Sequence, residues 1–344
     1  MSALREAPIH SLLEAFSQLK ATSGAEELAT LTGDGVLVVD LHREACAMLS
    51  ADAQTLLPKL LGQLACPTVA LLPKLPSREL QVLAQGFDLW VEEMEDLPQI
   101  IESIRQSPLA SLALVQVLRH NSDCNLHQGL IAESWVYSTL QSGPEFACWL
   151  KDRPSRLVQP PEKPVLRVER RGNELMLTLD RPERHNAFGT HLRDALAEAF
   201  RLAATDISIT RVRLRAEGPS FCSGGDLDEF GDAPDPATAH AIRSTRHPAR
   251  LLADLPQPSS AELQGACIGA GIELPAFTSE VIAREDAYFA LPEVTMGLVP
   301  GAGGTVSLPR RIGRQRTAWM AITGKRIDAQ TAHRWGLVDR IVAS

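Results

Sequence analysis

Two acids and two runs of small residues carry the chemical potential of this 344-residue chain. Glu273 ends the glycine-rich turn that starts at Gly265 (GACIGAGIEL), and Glu293 follows in the stretch Phe289 to Thr305 (FALPEVTMGLVPGAGGT). Two carboxylates aimed at one small apolar site have their pKa values pushed apart, which equips one as base and the other as acid. The turn follows a strand-like run and leads into a helix-like one, Ile272, Leu274, Pro275 and Ala276. Its backbone N–H groups therefore open at a helix N-terminus, where the dipole favours developing negative charge. The first of two such turns in chain order, Ser220 to Leu227 (SFCSGGDL), lies upstream, and its small residues let the backbone come close to a ligand. Neither glycine run is a dinucleotide fingerprint, because Leu274 stands where the third glycine belongs and no acid closes a βαβ unit.

The elements that must position these groups begin after a break at Leu157 to Pro164, where three prolines in close succession cannot sit in a helix or a central strand. Val165–Glu169 and Glu174–Leu179 flank Arg171-Gly172-Asn173 and predict a hairpin. Leu192, Ala195, Leu196, Ala199 and Phe200 have helical spacing, and Arg211–Arg215 predicts a strand leading into the first turn. Alternating strands and helices predict an α/β fold for residues 161–344. In residues 1–160, Gly35–Leu41 and Thr68–Leu72 look like strands around a helix at Asp52–Leu64, and Glu79–Leu150 reads as several helices. A mostly helical or small α+β N-terminal domain is the expectation. The run GDGVLVVDLHREACAML faintly echoes GNELMLTLDRPERHNAF, a single match that does not establish duplication.

Bulk properties narrow the class. A net charge of −8 and 5% aromatic residues argue against a nucleic-acid surface. Six cysteines without C-x-x-C spacing read as reduced core residues, and nine histidines form no metal-ligand pattern. The N-terminus lacks an uninterrupted apolar segment, and no apolar run reaches the ~20 residues needed to cross a bilayer. A cytoplasmic protein without membrane, nucleic acid, metal or redox cofactor is expected.

In its C-terminal half the chain resembles the crotonase superfamily, the enoyl-CoA hydratase/isomerase family, which acts on acyl-CoA thioesters. The motifs run in the family's order: LDRPERHNAF, FCSGGDL, GACIGAGIEL, LPEVTMGLVPGAGGT and the closing Leu308–Val342. The resemblance implies a crotonase-like spiral of ββα units and a homo-oligomer, a trimer or hexamer. By family position the oxyanion donors are the N–H groups of Gly225 and Ala270, although glycine is commoner at the second. Glu273 and Glu293 match the two glutamates that hold a water between them and act as base and acid in its addition to a 2-enoyl-CoA. Pro300 and Gly301 are implied to line the site beside that water. Arg184, His185 and Ala187 fall where the family's first loop runs along CoA, facing Ser223, Asp226 and Leu227, with Arg184 as the phosphate partner.

Three features depart from the family. The helices that usually follow GLVDRIV do not follow it here, the strand before the second turn is polar (Ser259, Ser260, Glu262), and Leu291 replaces a polar residue. The expectation is an enoyl-CoA hydratase, a lyase of fatty acid metabolism that needs no cofactor beyond the substrate's coenzyme A. The alternatives are isomerisation, thioester hydrolysis, cofactor-free oxygenation or non-catalytic acyl-CoA binding. Arg243, Arg246, His247 and Arg250 read mainly as a polar helix face, with an acidic acyl group as the other reading. Cys222 reads as a packed residue, since no motif places a base near it. The apolar run from Leu97 to Leu150 is expected to cover the core in place of the family's closing helices.

Overall fold

The structure, a computed structural model, describes residues 7–41, 50–74, 76–153, 160–232 and 235–343. Cys46, the start of the Leu157–Pro164 linker and Ser344 lie outside the described residues. The chain opens with four short strands, β1 (Ile9–Ser11), β2 (Leu37–Asp40), β3 (Thr68–Leu71) and β4 (Leu89–Val91), laid side by side in that order and all parallel. Helices α1 (Leu12–Lys20), α2 (Gly24–Leu28), α3 (Ala51–Gly62) and α4 (Arg78–Ala84) lie between them. Ser11 starts α1 by accepting from the Glu14 N–H, while the Glu14 carboxylate accepts from the Ser11 N–H in return. β3 is buried along its whole length, as a parallel strand covered on both faces must be.

The expected strands around 35–41 and 68–72 and the helix between them are present. Helix dominates this half, as the mostly helical expectation has it, but the α+β alternative needs correcting, because the short strands alternate with helices and their sheet is wholly parallel. Three-residue strands such as β1 and β4 are too short to show a period of two, so pattern alone gave no sign of them.

Four further helices follow, α5 (Leu97–Gln106), α6 (Pro108–Asn121), α7 (Leu126–Gln141) and α8 (Pro144–Lys151). The second half then builds β5 (Leu166–Arg171) and β6 (Glu174–Leu179) as an antiparallel hairpin, with α9 (Thr190–Thr205) crossing to β7 (Arg211–Ala216). After α10 (Pro236–Thr245) and α11 (Pro248–Ala253) come β8 (Ser259–Leu263), β9 (Ala266–Ile268), α12 (Ala270–Glu273), β10 (Glu280–Arg284) and β11 (Tyr288–Ala290). The chain closes with α13 (Gly304–Ile312), α14 (Arg314–Thr323), β12 (Ile327–Asp328), α15 (Ala329–Trp335) and β13 (Arg340–Val342). Six strands form one sheet in the order β13-β10-β8-β7-β6-β5, and β12-β11-β9 form a second, small one.

The polar strand β8 is explained by its two faces. Ser259, Ser260 and Ala261 are buried, while the half-buried Glu262 meets Arg213 of the neighbouring strand at 2.8 Å. Glu262 thus belongs to a lattice of ion pairs on the sheet, which also joins Arg213 to Glu174 and Arg215 to Glu169.

Helices α5 to α8 pack into the second half. One apolar cluster runs through Ile100, Leu114, Val115, Leu118 and Leu130 into Val306, Leu308, Met320 and Ile322. Gly129 lets α7 approach α13 closely, since a Cβ there would lie 3.0 Å from Val306. At the end of α6, Asn121 donates to the Thr305 carbonyl at 3.2 Å. The first sheet is fastened to the rest through buried Asp88, which accepts from Arg119 of α6 and Arg314 of α14, both at 2.9 Å, and from the Thr68 N–H. A separate apolar cluster, including Leu12, Leu37, Val39, Leu57 and Phe87, fills the other face of that sheet. Among the described residues no helix is long and apolar enough to cross a membrane.

Candidate active site

Strand β9 is followed by Gly269, whose φ of 50° lies in the region that glycine adopts without strain. The turn drops directly into the four-residue helix α12, so Ala270 opens that helix and Glu273 ends it. A Cβ on Gly269 would sit 2.4 Å from Glu293 Oε1 and 3.7 Å from Glu273 Oε1. Both carboxyl groups therefore converge on one spot over the bare glycine.

Their environments differ. Glu273 is 2% exposed, and its Oε2 accepts from the N–H groups of Ala302 and Gly304, each at 2.8 Å. Glu293 stands at the start of a short 3-10 turn, with Oε2 enclosed and without a hydrogen-bond partner. Burial pushes Glu293 up to about 8, with Glu133 adding to the rise. Burial and the charge of Glu293 hold Glu273 well above the usual carboxylate range. The pair carries one charge at most: the repulsion that lifts Glu273 falls away once Glu293 is protonated, and the two donors on Glu273, absent from Glu293 Oε2, then favour Glu273 as the ionised member.

Gly225 and Ala270 line the same cavity of about 190 Å³ as the two glutamates. Gly225 is bridged to Phe188 by bonds that use the Phe188 and Asp226 N–H groups, and its own N–H donates to no described protein acceptor. The N–H of Ala270 is likewise free of a protein partner, while Ile272 and Glu273 both bond back to the Gly269 carbonyl. Two main-chain donors and two carboxyl groups thus face one space. Cys222 beside them is fully enclosed, and burial pushes its thiol up to about 12, so it packs as a small apolar residue.

The loop from Pro300 to Thr305 is gripped from two sides. Its alternate N–H groups, Ala302 and Gly304, point to Glu273, and the intervening Gly303 and Thr305 point to Glu133 at 2.7 and 2.8 Å. The Thr305 hydroxyl also donates to Glu133. Glu133 is 1% exposed and comes from α7, so the first half of the chain holds the loop that holds Glu273. Burial lifts its carboxyl to about 7. Tyr137, one helical turn further on, closes the cavity over Gly301, where a Cβ would lie 2.4 Å from the ring. Gly301 and Ala302 line the cavity, while Pro300 is buried and not part of its wall. Glu133 and Tyr137 were missed from sequence. The available signal was a single acid, with no Asp, Lys or Arg beside it, in a sixteen-residue helix.

Arg184, His185, Ala187, Ser223, Asp226 and Leu227 come together as walls of a second groove of about 610 Å³, which meets the cavity at Gly225. The loop bearing His185 and Asn186 takes two left-handed residues, with φ of 50° and 53°. Buried Asn186 anchors it by accepting from the Arg181 N–H and donating to the Glu217 and Ser220 carbonyls. Arg184 is engaged by Asp226 at 3.1 Å and by Asp228, and Asp226 also holds Arg181. Asp226 therefore orders the cations of the groove, holding Arg184 through one nitrogen of its guanidinium. Arg153, just beyond α8, lines the same groove with its guanidinium stacked 4.2 Å over Trp149. Arg243, Arg246 and His247 line the cavity, as does Arg193 of α9, whereas Arg250 pairs with Asp254 outside it.

With the geometry in hand, comparison with known proteins is direct. The Enoyl-CoA hydratase/isomerase family profile matches residues 169–344. The 2,3-dehydroadipyl-CoA hydratase of Escherichia coli is 38% identical over 177 residues, covering 52% of this chain and 69% of that protein. The 1,2-epoxyphenylacetyl-CoA isomerase of the same organism is 36% identical over 174 residues, covering 49% and 66%. A crystal structure of an enoyl-CoA hydratase from Mycobacterium smegmatis shares 35% identity with a TM-score of 0.49, covering 53% of this chain and 71% of that one. The chain thus spans about two thirds of the length of these relatives. It belongs to the enoyl-CoA hydratase/isomerase family.

Proposed function

We propose that the protein hydrates 2-enoyl-CoA thioesters. The observation that carries this reading is the convergence of the Glu273 and Glu293 carboxyl groups on the point above Gly269, beside two main-chain N–H groups with no protein acceptor. In this reading the thioester carbonyl lies between the Gly225 and Ala270 donors, which polarise it and stabilise the enolate. Losing one such donor typically costs about 3 to 4 kcal/mol of transition-state stabilisation. Glu273, kept as a carboxylate by its two donors, takes a proton from water as the oxygen adds to C3. Glu293, protonated in its donor-free surroundings, passes its proton to C2. CoA lies in the groove of Arg184, His185, Ala187, Ser223, Asp226 and Leu227, and the reaction needs no other cofactor.

A similar relative is an isomerase, and the same two carboxyl groups could move a proton along the acyl chain without adding water. The products separate the readings: hydration gives a 3-hydroxyacyl-CoA, and isomerisation gives a shifted double bond of unchanged mass. Supplying a 2-enoyl-CoA to the full chain and weighing the product supports hydration if the mass rises by one water. An unchanged mass with a moved double bond supports isomerisation.

A further inference from the structure

Among the described residues, the cavity holds one arginine that forms no ion pair and feels Glu133 only at a distance. Three arginines line the cavity, and two are balanced: Arg193 meets Asp194 at 2.9 Å, and Arg246 lies within 3.6 Å of both Asp194 and Glu198. Arg243 of α10 is half-buried and pairs with no described carboxylate. Its guanidinium donates to neutral groups of α7, the Ser134 hydroxyl at 3.0 Å, the Ser138 hydroxyl and Gln141 Oε1 at 3.4 Å, and stacks 4.8 Å from the centre of the Tyr137 ring. A half-buried charge in direct contact with neutral groups alone, and balanced by Glu133 only at a distance, is costly, and a ligand anion would relieve that cost.

Beside it stands a second unused donor. His247 is 9% exposed, lines the same cavity, and its buried Nδ1 has no hydrogen-bond partner. Burial first, and then Arg243 and Arg250, push this imidazole down to about 4, so it is neutral at physiological pH and able to present one N–H. Tyr137 links the two ends of the cavity: its ring covers Gly301, which lines the cavity with the glutamates, and Arg243 lies over its face, so one continuous wall leads from the carboxyl groups to the guanidinium.

We propose that Arg243, with His247 beside it, binds a carboxylate at the far end of the acyl chain, so that the preferred substrates are CoA thioesters of short dicarboxylic enoyl acids. This rests on the hydratase reading for the fate of the substrate and on the cavity alone for its recognition. The full chain is assayed with 2-hexenedioyl-CoA and 2-hexenoyl-CoA, which differ only in the terminal carboxylate. The expected kcat/KM ratio is roughly 10- to 100-fold in favour of the diacid, the range of a charge-assisted bond. Arg243→Met collapses the ratio towards one and Arg243→Lys keeps part of it. If Arg243→Met does not fold, Arg243→Gln, able to keep hydrogen bonds to α7, is read in the same way. A wild-type ratio of one, or an unchanged ratio in the charge-free variant, overturns the proposal.

Equilibrium binding of hexanedioyl-CoA against hexanoyl-CoA, neither of which can be hydrated, separates this proposal from the hydratase reading. If the enzyme hydrates no enoyl ester, that reading falls. Tighter binding of the diacid ester, lost in the Arg243 variants, still upholds the carboxylate site, and equal binding overturns it.

Discussion

Replacing Glu133 by glutamine should alter stability in a way that depends on pH. In the folded chain Glu133 Oε1 accepts from Gly303, and Oε2 accepts from the N–H and hydroxyl of Thr305. A carboxamide has one acceptor oxygen, so a main-chain donor loses its partner, which costs about 1 to 3 kcal/mol when buried. Against this stands the cost of ionising a buried acid. The carboxyl rises from its ordinary value of 4.5 to about 7 on folding. At ~1.4 kcal/mol per pKa unit, about 3 kcal/mol of wild-type stability is present below pH 4.5 and lost as pH rises to about 7, because the folded chain holds the proton longer than the unfolded one. Glutamine carries no such penalty.

Glu133→Gln should therefore be less stable than wild type by about 1 to 3 kcal/mol at pH 5, and about equal or more stable at pH 8. Removing the Glu133 charge also lowers the carboxyl pKa values of Glu273 and Glu293, both of which it raises, and this acts in the same direction. Urea unfolding followed by tryptophan fluorescence at the two pH values measures the difference. A stability gap independent of pH would show that Glu133 ionises as an ordinary acid and would refute the reasoning.

Since Glu293 must be protonated to act as the acid and burial lifts it to about 8, kcat/KM should fall as pH rises through about 8. A profile flat to pH 9.5 would remove it from that role. Gly269→Ala places a methyl 2.4 Å from Glu293 Oε1 at a φ of 50°, so turnover should drop at least 100-fold while melting temperature changes by only a few degrees. Equal turnover would mean that the carboxyl does not sit over this glycine. Asp88→Asn leaves Arg119 and Arg314 without their shared carboxylate and should cost about 3 to 5 kcal/mol in denaturant unfolding; a loss below 1 kcal/mol would show that the first sheet is held by apolar packing alone.

Glu273 and Glu293 were legible because each lies inside a turn whose glycines announce a close approach of backbone to ligand. Gly225 and Ala270, picked out by motif position, line the cavity with the two glutamates, and the groove residues from Arg184 to Leu227 do share one wall. What periodicity and motif could not convey was the contribution of distant segments. Glu133 acts on Thr305 across half the length of the chain, and nothing near Glu133 in sequence indicates which loop it meets. Asp226 and Asp228 reach Arg184 only after the Ser220–Leu227 turn folds back on the loop before α9, so no motif gave a sign of that pairing. The covering role of Leu97–Leu150 was legible from apolar content alone, since α6 and α7 do lie against α13 and α14, but no pattern showed that α7 would also reach the active site.

The most direct measurement is hydration of crotonyl-CoA in water enriched in heavy oxygen, with wild type compared with Glu273→Gln and Glu293→Gln. Wild type should yield 3-hydroxybutyryl-CoA carrying the heavy label at C3. Each variant should be slower by orders of magnitude with ester binding nearly intact, because the backbone donors remain while proton transfer is lost. Labelled product formed at wild-type rates by either variant, or no labelled product from any 2-enoyl-CoA with the wild type, would contradict a water addition run by these two carboxyl groups.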